Sequence, residues 1–338
     1  MLNRVSCVHV KLAVLSMFVV FAAVVGCGSR GSGSGDGSST GADGSGPGAG
    51  ADSATATVTP GVWASVSAGG FHTCGVRSDG TVACWGYDAD GQATPPEGTF
   101  TSVSAGQSHT CGVKSDGTIV CWGEDFFGQA EPPADTFASV SAGAFHTCGV
   151  RSDAVVACWG NNVGGPATPP AGSFTSVSAG VGYTCGVRAD GTVACWGDNN
   201  GGQATPPTGT FISVSAGGGH TCGVRTDGTV ACWGDNSGGQ AAPPAGTFLS
   251  VSAGGKNTCG VETVGSIACW GDDTYGQTTP PADTFKSVST GGFHTCGVRS
   301  DGTIVCWGEN AHGQITPPSD TSSTDDAGAA PDDANDGP

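Results

Sequence analysis

The chain has 338 residues, of which 12% are charged, and it carries 29 acidic against 11 basic side chains, for a formal net charge of −18. Between residues 60 and 318, acidic side chains still outnumber basic ones by 20 to 8. Nucleic acid and anionic lipid need a basic footprint on the protein that binds them, so this balance argues against both as partners. It is compatible with a soluble exterior domain or with a basic protein partner.

Residues 1–27 have the pattern of a signal peptide. A basic start with Arg4 and Lys11 precedes an apolar run over residues 12–25, which is too short for a membrane span. The glycine before Cys27 makes the ending resemble a bacterial lipoprotein signal, in which this cysteine becomes the lipidated first residue; the alternative is an ordinary cleaved signal. We therefore expect an exported protein held by a lipid anchor alone, at the bacterial outer membrane, on the cell surface or in the periplasm.

Two segments of simple composition flank the central part of the chain. Residues 28–59 are almost wholly Gly, Ser, Ala, Thr and Asp, and residues 319–338 carry six Asp and no basic side chain. Such segments bury too little apolar surface to fold. We expect a disordered Gly/Ser-rich tether before the folded domain and an acidic disordered tail after it.

Residues 60–318 contain seven copies of a 37-residue repeat. The first copy includes FHTCGVRSDGTVACWG at residues 71–86, and every later copy repeats its two cysteines and its Trp-Gly pair. A period of this length is typical of repeat architectures, in which each unit contacts its neighbours.

Each copy predicts strands and no helix. Runs such as FTSVSAG at residues 100–106 alternate in polarity, and the cysteine segment is typical of a hairpin around Asp-Gly. A Gly-rich turn and a Pro-Pro pair such as Pro132 and Pro133 then interrupt strand pairing. The domain is therefore expected to be all-β, with three to four strands in each copy.

The hairpin also predicts how the cysteines pair. If residues 78–80 form a loop that Gly80 closes in the left-handed conformation, Cys74 faces Cys84 at a non-hydrogen-bonded site. The Cα atoms there lie about 4.5 Å apart, a separation that a disulfide accepts, and an exported chain favours disulfides. The same register predicts seven disulfides: Cys74–Cys84, Cys111–Cys121, Cys148–Cys158, Cys185–Cys195, Cys222–Cys232, Cys259–Cys269 and Cys296–Cys306.

Metal and cofactor sites are not expected. The nine-residue gap between paired cysteines lacks the tight spacing of structural zinc sites. Loops such as DNNGGQ at residues 198–203 suggest calcium, but the alternating acidic ligands and terminal Glu of a calcium loop are missing. Asx-turns closed by a left-handed glycine explain these loops without an ion.

One small sheet cannot bury both of its faces, whereas radial stacking of seven sheets covers them, as in a β-propeller. The segment VSAGQSHTCGVKSDGTIVCWGEDFFGQ at residues 103–129 resembles the regulator of chromosome condensation repeat, with its Ala-Gly-x-x-His-Thr, Asp-Gly, Trp-Gly and Gly-Gln landmarks. The resemblance covers all seven copies and implies a seven-bladed propeller, often closed by pairing of the terminal strands. We expect the strand that contains Trp63 to complete the last blade.

One histidine position recurs in five copies. It holds His72, His109, His146, His220 and His294, with Tyr183 and Asn257 in the other two copies. A ring of imidazoles suggests a metal or acid–base site, but side chains on separate blades converge only if they point at the axis. We favour a structural role, in which the histidine braces a loop through hydrogen bonds.

Catalysis requires an asymmetric set of residues, so we sought one where the copies differ. No Ser-His-Asp, Cys-His, paired-carboxylate or phosphate-loop signature stands apart from the repeat. The sixth copy deviates most, at Lys256, Asn257, Glu262 and Val264. In the third copy Ala154 occupies the turn-glycine position, where a left-handed conformation would cost about 1–2 kcal/mol. These deviations mark either a site or ordinary drift.

The loops between Trp-Gly and Gly-Gln vary from copy to copy. Their large side chains define a candidate binding rim: Tyr87, Phe126, Phe127, Val163, Tyr275 and His312. Variable loops with aromatic tips on a constant framework are typical of binding sites, although scattered exposed aromatic side chains are also normal. We expect a monomeric, envelope-tethered propeller that binds a protein partner. The alternatives are an enzyme acting on an envelope polysaccharide and an inhibitor of an extracellular hydrolase.

Overall fold

The computed structural model describes residues 62–318, which form 21 strands in seven antiparallel sheets. The predicted signal peptide (1–27), its lipidation site Cys27, the tether (28–59) and the acidic tail (319–338) lie outside the described residues. Each sheet contains three consecutive strands in chain order, so each repeat forms one blade. The seven-bladed, all-β propeller predicted from the repeat is confirmed.

The strands of blades one to seven have nearly the same lengths and start at equivalent positions. The first strands are β1 (Trp63–Ala68), β4 (Phe100–Ala105), β7 (Phe137–Ala142), β10 (Phe174–Ala179), β13 (Phe211–Ala216), β16 (Phe248–Ala253) and β19 (Phe285–Thr290). The second strands are β2 (His72–Arg77), β5 (His109–Lys114), β8 (His146–Arg151), β11 (Tyr183–Arg188), β14 (His220–Arg225), β17 (Asn257–Glu262) and β20 (His294–Arg299). The third strands are β3 (Val82–Gly86), β6 (Ile119–Gly123), β9 (Val156–Gly160), β12 (Val193–Gly197), β15 (Val230–Gly234), β18 (Ile267–Gly271) and β21 (Ile304–Gly308).

The first strands of neighbouring blades contact one another, which places them nearest the axis of the propeller, and the third strands lie outermost. Within residues 62–318 no blade has a fourth strand. The segment after each third strand instead forms a tight turn, in which the amide of Gly91 donates to the carbonyl of Asp88 (3.2 Å). Proline follows, and because proline has no amide hydrogen it cannot continue a strand ladder.

The cysteine hairpin has the predicted register. Val76 faces Val82 and Cys74 faces Cys84, while the amide of Arg77 donates to the carbonyl of Thr81 (2.8 Å). Gly80 takes the left-handed conformation that closes the loop, with φ of +86°. All seven predicted disulfides are present, each with a Cα separation of 4.0 Å.

The hydrophobic core lies between successive blades. The disulfide and valine of one blade pack against the phenylalanine and tryptophan of the next; Cys111 and Val113, for example, pack against Phe137 and Trp159. At the junction of the last and first blades, Val298 packs against Trp63 and its neighbours. The first blade therefore covers the last one by the same kind of contact that joins every other pair.

The closure of the ring differs from our expectation. The strand with Trp63 pairs with β2 of its own blade and does not complete the last blade, so that prediction is wrong. Every copy already supplies a complete three-stranded sheet, which leaves no strand to exchange. The ring closes by packing and by hydrogen bonds between whole blades, including one from the amide of Trp63 to the carbonyl of Gly302 (2.8 Å).

A latch also joins each blade to the next. The carbonyl of Gln92 accepts hydrogen bonds from the indole of Trp122 (2.9 Å) and from the hydroxyl of Thr110 (3.0 Å) in the following blade. The carbonyl of Gln314 makes the same bonds to Trp85 and Thr73 of the first blade. The end of the seventh copy thus holds the beginning of the first.

Ala154 is the non-glycine residue with positive φ (67°) among residues 62–318, at the turn position where other blades have glycine. We expect Ala154→Gly to raise the free energy of unfolding by about 1 kcal/mol, because relief of the left-handed strain exceeds the added entropy of the unfolded chain. Thermal or denaturant unfolding under non-reducing conditions measures the change.

The matched control is Gly265→Ala, at the same turn position of the sixth blade. A Cβ built on Gly265 meets its nearest neighbour at 3.7 Å, which is ordinary contact, so this variant tests the backbone conformation (φ +91°) rather than a clash. It should be destabilising by a similar amount. No stability change in either variant would contradict the assignment of strain to Ala154.

Candidate functional site

The variable loops and the chain reversals between first and second strands lie at one end of the propeller, which we call the loop face. The amide of Tyr87 donates to the carbonyl of Phe71 (2.9 Å), and the equivalent bond recurs in all seven blades. The loop face comprises residues 69–71 and 87–90, 106–108 and 124–127, 143–145 and 161–164, 180–182 and 198–201, 217–219 and 235–238, 254–256 and 272–275, and 291–293 and 309–312.

A ring of backbone hydrogen bonds forms the inner edge of the loop face. The amide of Gly70 donates to the carbonyl of Gly106 in the next blade (3.0 Å), and the series ends with Gly292 donating to Gly69 (3.0 Å). A Cβ built on Gly106 would lie 2.5 Å from the carbonyl oxygen of Gly143, so this position requires glycine for close approach of the backbones. The inner edge is therefore the same in every blade.

The recurrent histidines bridge neighbouring blades and do not brace a loop. Nε2 of His72 lies 2.8 Å from Oγ1 of Thr110 in the next blade, and Oγ1 of Thr110 donates its proton to the carbonyl of Gln92. Nε2 of the histidine is therefore the donor to the hydroxyl. The other bridges are His109–Thr147, His146–Thr184, His220–Thr258 and His294–Thr73, at 2.7–2.8 Å.

The two copies that lack histidine keep a bridge. The hydroxyl of Tyr183 donates to the carbonyl of His220 in the next blade, and Nδ2 of Asn257 donates to Oγ1 of Thr295 (3.4 Å). Three different side chains thus perform one structural role at equivalent positions.

Burial keeps these histidines neutral. It lowers the pKa of His109 to about 3 and that of His72, His146, His220 and His294 to about 4. Within the described chain, the Nδ1 atoms of His72, His109, His220 and His294 have no hydrogen-bond partner, so a proton there would be a buried, unpaired charge. At neutral pH the ring of histidines is a set of uncharged donors.

The loop Asp and Asn side chains accept hydrogen bonds from backbone amides of their own loops. Oδ1 of Asp235 accepts from the amide of Ser237 two residues on (2.9 Å), which is an Asx-turn, and Oδ1 of Asp88 accepts from the amide of Ala93 five residues on (2.7 Å). Between residues 62 and 318 there is no group of three or more His, Cys, Asp or Glu side chains able to hold a metal ion.

The structure places all six predicted rim residues on the loop face. Tyr275 and Tyr87 join a row of rings that also includes two phenylalanines, at centroid distances of 5.6 Å (Tyr275–Phe293), 5.8 Å (Phe293–Phe71), 5.6 Å (Phe71–His312) and 5.0 Å (His312–Tyr87). We call these five rings, from blades six, seven and one, the aromatic arc. Tyr275 is 51% exposed and Phe293 is 39% exposed.

A second cluster lies on blades two and three. Phe126, which is 74% exposed, stacks edge-on against Phe127 (4.8 Å), and Phe127 contacts Phe145 (5.7 Å). Val163 of the third blade is 86% exposed and belongs to neither cluster.

Three members of these clusters are not among the residues predicted from the sequence: Phe71, Phe145 and Phe293. Each immediately precedes the recurrent histidine, at a position that holds Ser, Gly or Lys in the other four copies. This variation among the copies could have marked the position as part of a binding site. The residues lie outside the interval between Trp-Gly and Gly-Gln, however, and only the fold brings the two segments together.

The deviant residues of the sixth copy do not form a common site. Lys256 lies on the loop face, Asn257 is buried between blades, and Glu262 accepts a hydrogen bond from Ser266 at the opposite end of β17. Val264 occupies the hairpin turn there and is 79% exposed. Since β17 runs the height of the blade, these groups belong to different surfaces.

The histidine bridges predict a specific pH dependence of stability. Because the pKa of these histidines is about 6.5 in the unfolded chain and about 3 to 4 in the folded protein, the unfolded state binds protons first as the pH falls. The contribution of these neutral histidines to the free energy of unfolding is therefore complete above about pH 6.5 and decreases toward pH 4. We expect the thermal midpoint to fall steeply through that window.

The variant His220→Asn tests the origin of this effect, because Asn257 fills the same position in the sixth blade and retains a bridge to threonine. It should fold and show a smaller loss of stability between pH 7 and pH 4 than the parent protein. A parent midpoint that does not change with pH, or an unchanged slope in His220→Asn, would contradict the assignment.

Among residues 62–318, no helix is long and apolar enough to cross a membrane. Comparison with known structures finds two plant receptor-kinase ectodomains. The entire ectodomain of the Physcomitrella patens receptor kinase CR4 is 29% identical, with a TM-score of 0.64 over 73% of this chain and 74% of that chain. The CRINKLY WD40 ectodomain of the Arabidopsis thaliana receptor kinase ACR4 is 30% identical, with a TM-score of 0.62 over 73% of this chain and 98% of that chain.

Human WBSCR16 shares the fold at 14% identity, with a TM-score of 0.61 over 70% of this chain and 87% of that chain. The comparison with curated proteins finds no match. The model of the Regulator of chromosome condensation (RCC1) repeat matches six of the seven copies and leaves out the deviant sixth. The matched residues are 63–92, 100–129, 137–165, 174–203, 211–240 and 285–314. These matches span more than half of the sequence, and the chain therefore belongs to the regulator of chromosome condensation repeat family.

Proposed function

We propose that the protein is an exported, lipid-anchored and monomeric propeller that binds another protein at the cell envelope through its loop face. The observation that carries the proposal is the contrast within this face, where a constant glycine ring supports loops that differ in every copy. Loops of this kind on a rigid framework are the usual carriers of recognition. Exposed aromatic side chains at their tips supply contact area at a low entropic cost.

The disulfides and the N-terminal pattern support the proposed compartment. Seven disulfides indicate an oxidising environment, since thiols stay reduced in the cytosol. The pattern that ends at Cys27 supports a lipoprotein signal. That two similar structures are receptor-kinase ectodomains agrees with a role outside the cytosol.

The lipid anchor is testable on its own. In the proposed lipoprotein, Cys27→Ser removes the sulfur that carries the lipid, so the chain loses metabolic labelling with a fatty-acid analogue. Unchanged labelling would show that Cys27 is not the lipidation site. This test does not depend on what the loop face binds.

The binding role is tested with Phe126→Ser combined with Phe127→Ser. Both side chains are exposed, so the double variant should fold, while loss of their contact area should reduce partner recovery by about ten-fold or more. The measurement is chemical cross-linking in intact cells, followed by affinity capture and quantitative mass spectrometry.

The control is Val264→Ser, an equally exposed apolar residue at the opposite end of the propeller. It should leave recovery unchanged. Equal recovery of the same partner by the wild type and the double phenylalanine variant would remove the second cluster from the binding surface, and failure to recover any partner reproducibly would overturn the proposed function.

A further inference from the structure

The charges of the propeller are segregated between its two ends. The four-residue loops after the third strands carry nine carboxylates: Asp88, Asp90, Glu124, Asp125, Asp198, Asp235, Asp272, Asp273 and Glu309. These loops contain no lysine or arginine. On the whole loop face, Lys256 is the one residue of these two types. The loop face therefore has a strongly negative potential.

The rest of the described chain, which includes the opposite end, is closer to balance, with eleven carboxylates against seven lysines and arginines. Six of the seven second strands end in Lys or Arg, and an aspartate occupies the following turn in those same blades. Some of these basic groups also pair with aspartates that precede the first strand of the same blade, such as Arg299 with Asp283 (2.9 Å) and Arg151 with Asp135 (3.4 Å). The negative net charge is thus expressed mainly on the loop face, and not over the whole surface.

Five of the nine carboxylates come from the loops that supply the aromatic arc. Asp88 and Asp90 follow Tyr87 in the first blade, Asp272 and Asp273 precede Tyr275 in the sixth, and Glu309 precedes His312 in the seventh. Like charges are crowded on this end of the molecule: partial burial, together with the nearby carboxylate of Asp90, raises the pKa of Glu124.

We propose that the aromatic arc and its five carboxylates bind a polypeptide segment rich in lysine and arginine. This proposal rests on the proposed function and names the chemistry of the partner. A cationic side chain that lies over an aromatic ring is attracted by its π face, and an adjacent carboxylate adds a charge-assisted hydrogen bond. The aromatic arc offers both kinds of group, the rings and the carboxylates of the same loops.

The protein uses the same pairing at its opposite end. The guanidinium of Arg225 lies 4.9 Å from the ring centre of Phe211, and that of Arg188 lies 5.1 Å from Phe174. On the loop face the rings and carboxylates are present, and Lys256 is the one lysine or arginine, so most of the cations are left to the partner. The protein's own C-terminal segment does not fit as the occupant, because residues 319–338 carry six Asp and no basic side chain.

The test uses the purified full-length protein and short fluorescent peptides of alternating Arg and Gly, with alternating Gln and Gly or Glu and Gly as comparisons. Fluorescence anisotropy should show saturable binding of the Arg peptide alone, weakened by added salt. Tyr275→Ser combined with Phe293→Ser should reduce this affinity by about ten-fold or more.

The charge variant is Asp88→Asn combined with Asp273→Asn. Asparagine occupies the equivalent position in other blades and makes the same turn bond, as Asn199 does with the amide of Ala204 (2.9 Å), so the loops should keep their shape. The matched control, Glu97→Gln with Asp190→Asn, removes the same charge from the opposite end. We expect about ten-fold weaker binding for the first pair and no significant change for the second.

Three results would overturn the inference: equal binding of the Gln peptide, equal losses in both charge variants, or a concentration-dependent dimer that buries the arc. Binding of a neutral polysaccharide without the Arg peptide would also overturn it. If a partner is captured in the cross-linking experiment while the Arg peptide does not bind, the proposed function stands and this inference alone is wrong.

Discussion

The burial of apolar surface between neighbouring blades is the interaction on which the rest of the structure depends. A single blade is a three-stranded sheet of fewer than twenty strand residues, and it exposes its disulfide and valines on one face and its phenylalanine and tryptophan on the other. Sheets of this size are marginal alone. Stacking them in a circle covers both faces of every blade, so neither end of the series is left uncovered.

This circular arrangement explains why so little of the sequence varies at the junctions. The glycine of the inner ring, the donor at the histidine position, the threonine that receives its bond and the latch carbonyl all serve the contact with the next blade. Where a side chain does change, the bond survives: Pro166 replaces glutamine in the third copy, yet its carbonyl still accepts from Trp196 (2.7 Å) and Thr184. A backbone acceptor tolerates any residue, whereas the close approach at Gly106 does not.

The sequence predicted the blades well because their determinants are local. Turn glycine, strand alternation and cysteine spacing agree on one register, and Gly80 with Cys74 and Cys84 shows that register directly. The mode of closure was predicted wrongly, because whether Trp63 pairs with β2 or with the last blade depends on contacts more than 200 residues apart. The bridge from His294 to Thr73, for example, joins residues 221 positions apart.

The candidate site was predicted only in part, again because some of its contacts join distant segments of the chain. Variation among the copies located Tyr87, Tyr275 and His312, but Phe71 and Phe293 come from a different segment of the repeat and meet them only in the folded ring. The total counts of acidic and basic side chains also do not reveal the difference in charge between the two ends of the propeller. To see it, one must know at which end of the propeller each loop lies.

The junction between the seventh and first blades has one property that the other six lack. Elsewhere a bridging pair such as His72 and Thr110 is separated by 38 residues, so the intervening chain keeps two detached blades close and favours their return. No such short connection exists between His294 and Thr73. The contacts at this junction are equivalent to those at the other six, but separating its two blades gives the chain the largest gain in conformational entropy. We therefore expect local opening of the ring to begin between the seventh and first blades.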